Sequence, residues 1–311
     1  MPRTASIARR TPRGRRSPRH PKYRPGEFRV ALVFVGPAVL GFTAFYLFPA
    51  FRGLYYSFTD YTLLGGAQWI GGENYAHLVT DDVFWNALWV TFQYVVVNIG
   101  TQTIAALFVA VLMQRLTTSL AIRGVLLLPY LIANVVIALV WFWMCNELIG
   151  IVNVLLERSG FDSQAFFGSP TLSIITVALV NTWRHVGYTA LLIFAGLQTI
   201  PPQLYEAAAI DGSGEIRSFF KITLPLLRPV LALVMVVSIT GSFQVFDTVS
   251  VTTRGGPGNA TRVIYYYIYE MAFSRNHFGY GLAMAVALFI LLAAVAYIQL
   301  RLMRSDQSDL D

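Results

Sequence analysis

Six stretches of this 311-residue chain, near 30–51, 85–113, 124–145, 171–196, 226–248 and 276–300, are each more than twenty residues long and almost free of charge. A hydrocarbon core about 30 Å thick is crossed by roughly 20 apolar helical residues. The runs therefore match lipid, and 56% hydrophobic against 13% charged residues is more apolar surface than one water-soluble core would hide. Lipid offers the backbone no hydrogen-bond partner, so each run is expected to be helical, and none alternates like a barrel strand. The predicted fold class is all-α: a polytopic membrane protein with about six transmembrane helices.

Charge sets the expected orientation, because loops rich in Lys and Arg stay in the cytoplasm. With the N-terminus inside, inner segments hold 17 of the 23 basic residues and outer loops 5, Arg184 lying within the fourth run. Both termini are then cytoplasmic. Ten of those basic residues precede residue 30, in a tail with five prolines. Such a tail is expected to be disordered and to suit an anionic membrane surface rather than nucleic acid. The expected organisation is a basic tail at 1–29, a transmembrane domain at 30–300 and a C-terminal tail at 301–311. The first apolar run is too long for a signal-peptide core and reads as a retained anchor. The single Cys145 excludes an internal disulfide, and no Cys/His spacing resembles a zinc site.

Between the fourth and fifth runs, the cytoplasmic loop 197–225 is too long and too patterned for a turn. Pro201 and Pro202 suit the start of a helix. Gln203 to Asp211 holds three alanines and no breaker, and Gly212-Ser213-Gly214 interrupts it. Ser213 is the expected N-cap of a second short helix reaching about Lys221, and Pro225 marks the next span. The expected shape is a helix-turn-helix elbow. Ala208 and Gly212, four apart, would present small side chains to a close partner, while Glu206 and Asp211 would pair with its basic groups. Pattern alone equally fits an amphipathic loop resting on the membrane.

Glu206-Ala207-Ala208, three residues, Gly212, nine residues, Ile222, one residue and Leu224-Pro225 reproduce the EAA motif at every fixed position. The chain thereby resembles permeases of binding-protein-dependent ABC importers. Trp183, Gly187, Gly196-Leu197-Gln198 and Ile200-Pro201 extend the likeness to the carbohydrate branch, which includes maltose, trehalose and glycerol-phosphate importers. Phe246, Asp247, Thr253, Gly255, Gly256, Pro257 and Thr261 follow a stretch common in oligosaccharide permeases.

The resemblance implies that the elbow is a coupling helix, with Glu206, Ala207, Ala208, Asp211 and Gly212 facing an ATPase. It implies a multi-pass chain in a bacterial plasma membrane, working with a second homologous permease, two ATPase subunits and an extracytoplasmic solute-binding protein. This chain is expected to be no enzyme and to hold no cofactor. Its only lysines, Lys22 and Lys221, lie outside any P-loop pattern, and ATP and Mg would sit on the partner ATPases. The implied cargo is an oligo- or disaccharide, with glycerol phosphate or another small polar solute as the alternative.

A hydroxyl-rich solute calls for amides, carboxylates and aromatic platforms around a wet cavity near the midplane. The candidates are Asn134 in the third span, Asn181, Trp183, Arg184 and His185 in the fourth, and Phe243, Gln244 and Asp247 at the fifth. Arg184 reads equally as a structural charge held by a neighbouring helix, and His185 as a packing residue. The outer aromatic residues, Tyr265, Tyr266, Tyr267 and Tyr269 among them, read chiefly as interfacial belts. A secondary transporter, a membrane enzyme and a passive channel are the rival classes. Against the first, the sequence shows no clear inverted repeat or interrupted helix.

Overall fold

The structure, a computed structural model, describes residues 27–116 and 119–305. Expectations for the basic tail at 1–26 and for the last residues, 306–311, lie outside the described residues. The chain divides into two bodies, residues up to Arg52 and residues from Gly53 on. The first carries α1 (Glu27–Phe42), a wider π-helical turn at Thr43–Leu47 and the start of α2 (Phe48–Tyr56). Together they make one apolar rod, Leu32–Tyr56, long enough to cross a membrane.

The second body begins with the end of that rod and a short loop closed by two isolated bridges, Thr59 to Trp69 and Thr62 to Gly66. Then come α3 (Glu73–Thr80) and the 35-residue α4 (Asp82–Leu116), followed by α5 (Leu120–Leu131), α6 (Asn134–Met144), α7 (Ile151–Arg158) and α8 (Ser173–Leu197). The elbow holds α9 (Pro202–Ile210) and α10 (Glu215–Ser218), a π-helical turn at Phe219–Thr223 and α11 (Leu224–Leu226). Past it lie α12 (Arg228–Phe243), α13 (Asp247–Val251), α14 (Ile264–Tyr269), a third π-helical turn at Glu270–Ser274 and α15 (Phe278–Ser305).

Among the described residues four rods, Leu32–Tyr56, Asp82–Leu116, Arg228–Val251 and Phe278–Arg301, are long and apolar enough to span, and α5 with α6 makes a fifth if counted as one. That pair corrects the expectation of a continuous third span: the two helices meet at 88°. Pro129 lacks the N–H that would bond a carbonyl one turn back. Ile132 and Ala133 then adopt extended conformations before α6 restarts at Asn134. An interrupted helix is therefore present, and its absence no longer weighs against a secondary transporter. The expected fourth run is α8, whose centre is too polar to meet the same apolar standard. Asn181, Thr182 and Thr189 on it are buried inside the protein, so their polarity never meets lipid.

The helices α4 and α8 form the centre of the second body. Val90, Tyr94, Val95 and Ile99 on α4 pack with Ile174, Val177 and Ala178 on α8 in one apolar cluster, and Ala106, Ala110, Ala190 and Ile193 belong to another. A polar seam runs through this interface. Asn98 Nδ2 donates to Ser242 Oγ at 3.0 Å, Thr182 Oγ1 to Asn98 Oδ1 at 3.2 Å, and Gln102 Nε2 to Thr189 Oγ1 at 2.8 Å. Thr101 and Thr182 share a hydroxyl bond of 2.8 Å. Each bond removes a polar group that hydrocarbon would leave unpaired. At Gly187 the α5 backbone comes so near that an added Cβ would overlap the Leu126 carbonyl oxygen.

Beyond the other end of α4, Asp81 ties α4, α14 and α15 together. Its Oδ1 caps α4 through the Val83 and Phe84 amides, at 2.9 and 3.2 Å, and its Oδ2 accepts from Tyr267 and Tyr280 at 2.8 and 2.6 Å. Burial raises the Asp81 carboxyl pKa, but bonds from Tyr280, Tyr267 and the two amides outweigh it and hold the group below its ordinary value. Burial and the Asp81 bond push the Tyr267 hydroxyl up, consistent with phenol as donor and carboxylate as acceptor.

Candidate functional site

A cavity of about 290 Å³ opens where the break between α5 and α6 faces α8 and the break between α12 and α13. Six of the eight expected pathway residues line it: Asn134, Asn181, Arg184, His185, Gln244 and Asp247. Trp183 and Phe243 do not. One residue round the helix from Arg184, Trp183 turns away and stands edge-on to Trp141 at 5.6 Å. Phe243 is buried in the apolar cluster around Val177 and Val249. A helix places neighbours about 100° apart, so sequence adjacency does not bring side chains to one face.

Arg184 is a cap for the broken helix. Its guanidinium donates to the Tyr130 carbonyl at 3.2 Å and to the Ile132 carbonyl at 3.4 Å, and it lies 5.3 Å from the Tyr130 ring centre. These carbonyls are freed where α5 ends, and such orphan acceptors need a partner. A third bond, 3.0 Å long, reaches His185 Nε2, while His185 Nδ1 meets the Asn181 carbonyl at 2.9 Å. A guanidinium only donates and a carbonyl only accepts. The proton is therefore on Nδ1, Nε2 accepts, and the imidazole is neutral. Both the structural reading of Arg184 and the packing reading of His185 find their contacts here.

Two groups at the helix breaks face each other across the cavity: Asn134 Nδ2 donates to Asp247 Oδ2 at 3.1 Å. Tyr130 and Tyr188 stack nearly parallel, ring centres 4.5 Å apart. Asn181 Nδ2 is taken up by the Val177 carbonyl and Thr248 Oγ1. The cavity thus offers a carboxylate, amides, hydroxyls and an aromatic pair, with its one arginine already bonded. Sequence reasoning missed Tyr94, Asn98, Gln102, Tyr130 and Tyr188, which also line it. Tyr94, Asn98 and Gln102 recur every four residues in an apolar run, a one-face signal that was visible.

The elbow forms as a second candidate site. Pro201 caps α9, and the helix ends in a Schellman turn: Gly212 N donates to Ala209 O at 3.1 Å and Ser213 N to Ala208 O at 2.8 Å. Gly212 has φ +73°, a conformation that L side chains rarely adopt, although space around it is open. Gly212 is consequently beyond the helix rather than on its face with Ala208. The expected N-cap at Ser213 is also corrected: Gly214 takes that position, and Ser213 Oγ instead accepts from Ser218 Oγ at 3.2 Å. The second helix is one turn of α-helix running into the π-helical turn. Glu206, Ala207, Asp211 and Gly212 are exposed and Ala208 half-buried. Ile210 and Ile216 are exposed at 88% and 78%, a surface left open on both sides of the turn. The elbow is pinned by the Tyr205 hydroxyl on Thr223 Oγ1 at 2.9 Å and by an Arg115–Glu215 ion pair to the end of α4 at 2.6 Å.

The sequence family described as binding-protein-dependent transport system inner membrane component matches residues 102–306. The sulfoquinovosyl glycerol transport system permease protein of Agrobacterium fabrum is 34% identical over 284 residues, 90% of this chain and 92% of that one. The trehalose/maltose transport system permease protein of Thermococcus litoralis is 30% identical over 285 residues, 91% and 96% of the two chains. Among solved structures, a chain from a bacterial ABC transporter involved in the import of the acidic polysaccharide alginate shares the fold. Its TM-score is 0.79 over 90% of this chain and 96% of that one, at 20% identity.

Proposed function

From the premise that this chain belongs to the binding-protein-dependent inner membrane components of ABC importers, we propose that it forms one half of a sugar path and takes an oligo- or disaccharide. As a multi-pass inner-membrane permease it is not itself catalytic, and ATP is bound by the ATPase partner. The proposed assembly has a second homologous permease, two ATPase subunits and an extracytoplasmic binding protein. Six crossings are proposed, counting α5 with α6 as one and α8 as another, with both termini and the elbow in the cytoplasm.

The observation that carries the reading is the elbow. Its EAA residues surround a Schellman turn that leaves Glu206, Ala207, Asp211 and Gly212 open while Tyr205 and Arg115 pin it to the body. ATPase closure would move such an exposed and fastened lever as a rigid body, switching the permease pair between two states. The relatives named for trehalose, maltose and a glycosyl glycerol support carbohydrate as cargo. Asp247, Asn134, Gln244 and the Tyr130–Tyr188 pair supply the acceptors, donors and ring faces that a sugar needs. Glycerol phosphate fits less well, because Arg184, the cation of the cavity lining, gives four of its five N–H donors to Tyr130, Ile132 and His185 and keeps no bidentate pair for a phosphate.

Uptake by proteoliposomes holding the whole complex tests this. Labelled di- and trisaccharides should enter only with ATP inside and binding protein outside. Uptake that persists without ATP, or ATP-driven uptake of amino acids and no sugar, would overturn it. Cysteine labelling at Ile210 from the outer side of intact cells would overturn the topology.

A further inference from the structure

A row of aromatic rings leaves the cavity at Phe246. Its ring centre is 5.0 Å from Tyr269, Tyr269 is 5.1 Å from Phe273, Phe273 5.2 Å from Phe278, and Phe278 5.9 Å from Tyr61. These are contact spacings for aromatic pairs. Core aromatic residues pack the same way, but this row is open: Tyr269 is 43% and Phe273 64% exposed.

The setting of the row decides between lipid and water. Glu270, on the turn between Tyr269 and Phe273, pairs with Arg275 at 2.8 Å and Arg262 at 3.2 Å. Asn276, just past Phe273, accepts the Leu63 amide at 3.1 Å. Glu270 and Arg262 are mostly covered by protein, but Arg275 is half exposed, and an exposed charge with a polar loop beside the rings is costly against hydrocarbon and ordinary in water. An interfacial belt would also have no reason to continue into a polar cavity, yet Phe246 both lines that cavity and touches Tyr265, Tyr266 and Tyr269.

We propose that Phe246, Tyr269, Phe273 and Phe278 form a stacking track along which a carbohydrate passes between the outer loops and the cavity. The inference rests on the sugar-importer reading and adds a second binding surface to it. A pyranose has C–H groups on its faces and hydroxyls on its rim. The faces meet the negative face of an aromatic ring while the rim stays hydrated. Each such contact is weak and resembles the next, so a sugar moves from ring to ring without meeting one deep well. That favours transfer over retention, and it leaves the selective polar contacts to Asp247 and Asn134.

The test is saturation-transfer NMR on the whole transporter in nanodiscs, titrated with maltotriose, trehalose and a uronate trisaccharide. For Tyr269→Ala and Phe273→Ala the apparent Kd of the bound sugar should rise about three- to tenfold, the worth of one ring contact. Phe273→Trp should restore it, and Phe289→Ala, 71% exposed on α15, should leave it unchanged. Binding that survives both track variants but weakens in Asp247→Ala overturns the track and leaves the cavity reading standing. If none of the three sugars binds the unaltered complex, both fall. Unchanged sugar affinity with lost capture of the binding protein would make the row a protein-docking face and overturn the proposal.

Discussion

The seam between α4 and α8 and the elbow at 202–222 treat polar groups in opposite ways. In the seam, Asn98, Gln102, Thr182 and Thr189 bond one another and Ser242, all buried. In the elbow, Glu206 and Asp211 stand exposed beside Ile210 and Ile216. An unpaired polar group in hydrocarbon costs several kcal/mol, so the seam residues bond one another even where Asn98 and Gln102 also line the cavity. In water the same group costs little to leave open and remains free to bind. Bonded polar groups hold the membrane body together, and the open ones of the elbow remain available for the proposed ATPase contact.

This contrast is tested most severely at glycine. Gly187→Leu should prevent assembly of the membrane body altogether, since the added side chain collides with backbone at Leu126; yield and a monodisperse gel-filtration peak measure it. Gly212→Trp should leave that peak intact, with strain of only about 1–2 kcal/mol from its positive φ. It should instead uncouple ATP hydrolysis from uptake, and normal uptake by the variant would count strongly against the elbow as the coupling lever.

Asn98→Leu should cost about 1–3 kcal/mol, the penalty for stranding the buried Ser242 hydroxyl, read as a lower unfolding midpoint in detergent. Arg115→Ala breaks an ion pair whose side chains are 50% and 77% exposed, so stability should change by less than about 1 kcal/mol. Any larger effect on the ratio of uptake to ATP hydrolyzed would then report force passed from elbow to α4. Asp81 gives a pH test outside both regions. Its folded pKa is depressed, so its contribution is present above about pH 4 and is lost as pH falls through the folded value. Asp81→Asn should flatten that acid limb of the melting curve.

Much of the cavity was legible because a polar residue in an apolar run is costly enough to need a reason. Asn134, Asn181, Arg184, His185, Gln244 and Asp247 stood out on that ground and converge in the structure. Trp183 and Phe243, expected as aromatic platforms, face elsewhere. Tyr130 and Tyr188 carried no local signal, since tyrosine is ordinary near a membrane; their stacking depends on how α5 meets α8. The elbow was legible down to its spacing, yet its N-cap shifted to Gly214 because the Schellman turn engages the Ser213 amide.

By itself the sequence determined the solvent, the helical class and the position of the elbow. Each follows from run length, the need to satisfy the backbone in lipid, or short-range spacing, and none requires knowing which helix touches which. Tertiary structure alone decided that Arg184 closes the break in the third span, with its guanidinium on the Tyr130 and Ile132 carbonyls. That outcome comes from groups 52 and 54 residues apart finding one another. A helix fixes only the angle at which it presents a side chain, and the helix packed beside it determines whether that side chain finds a partner.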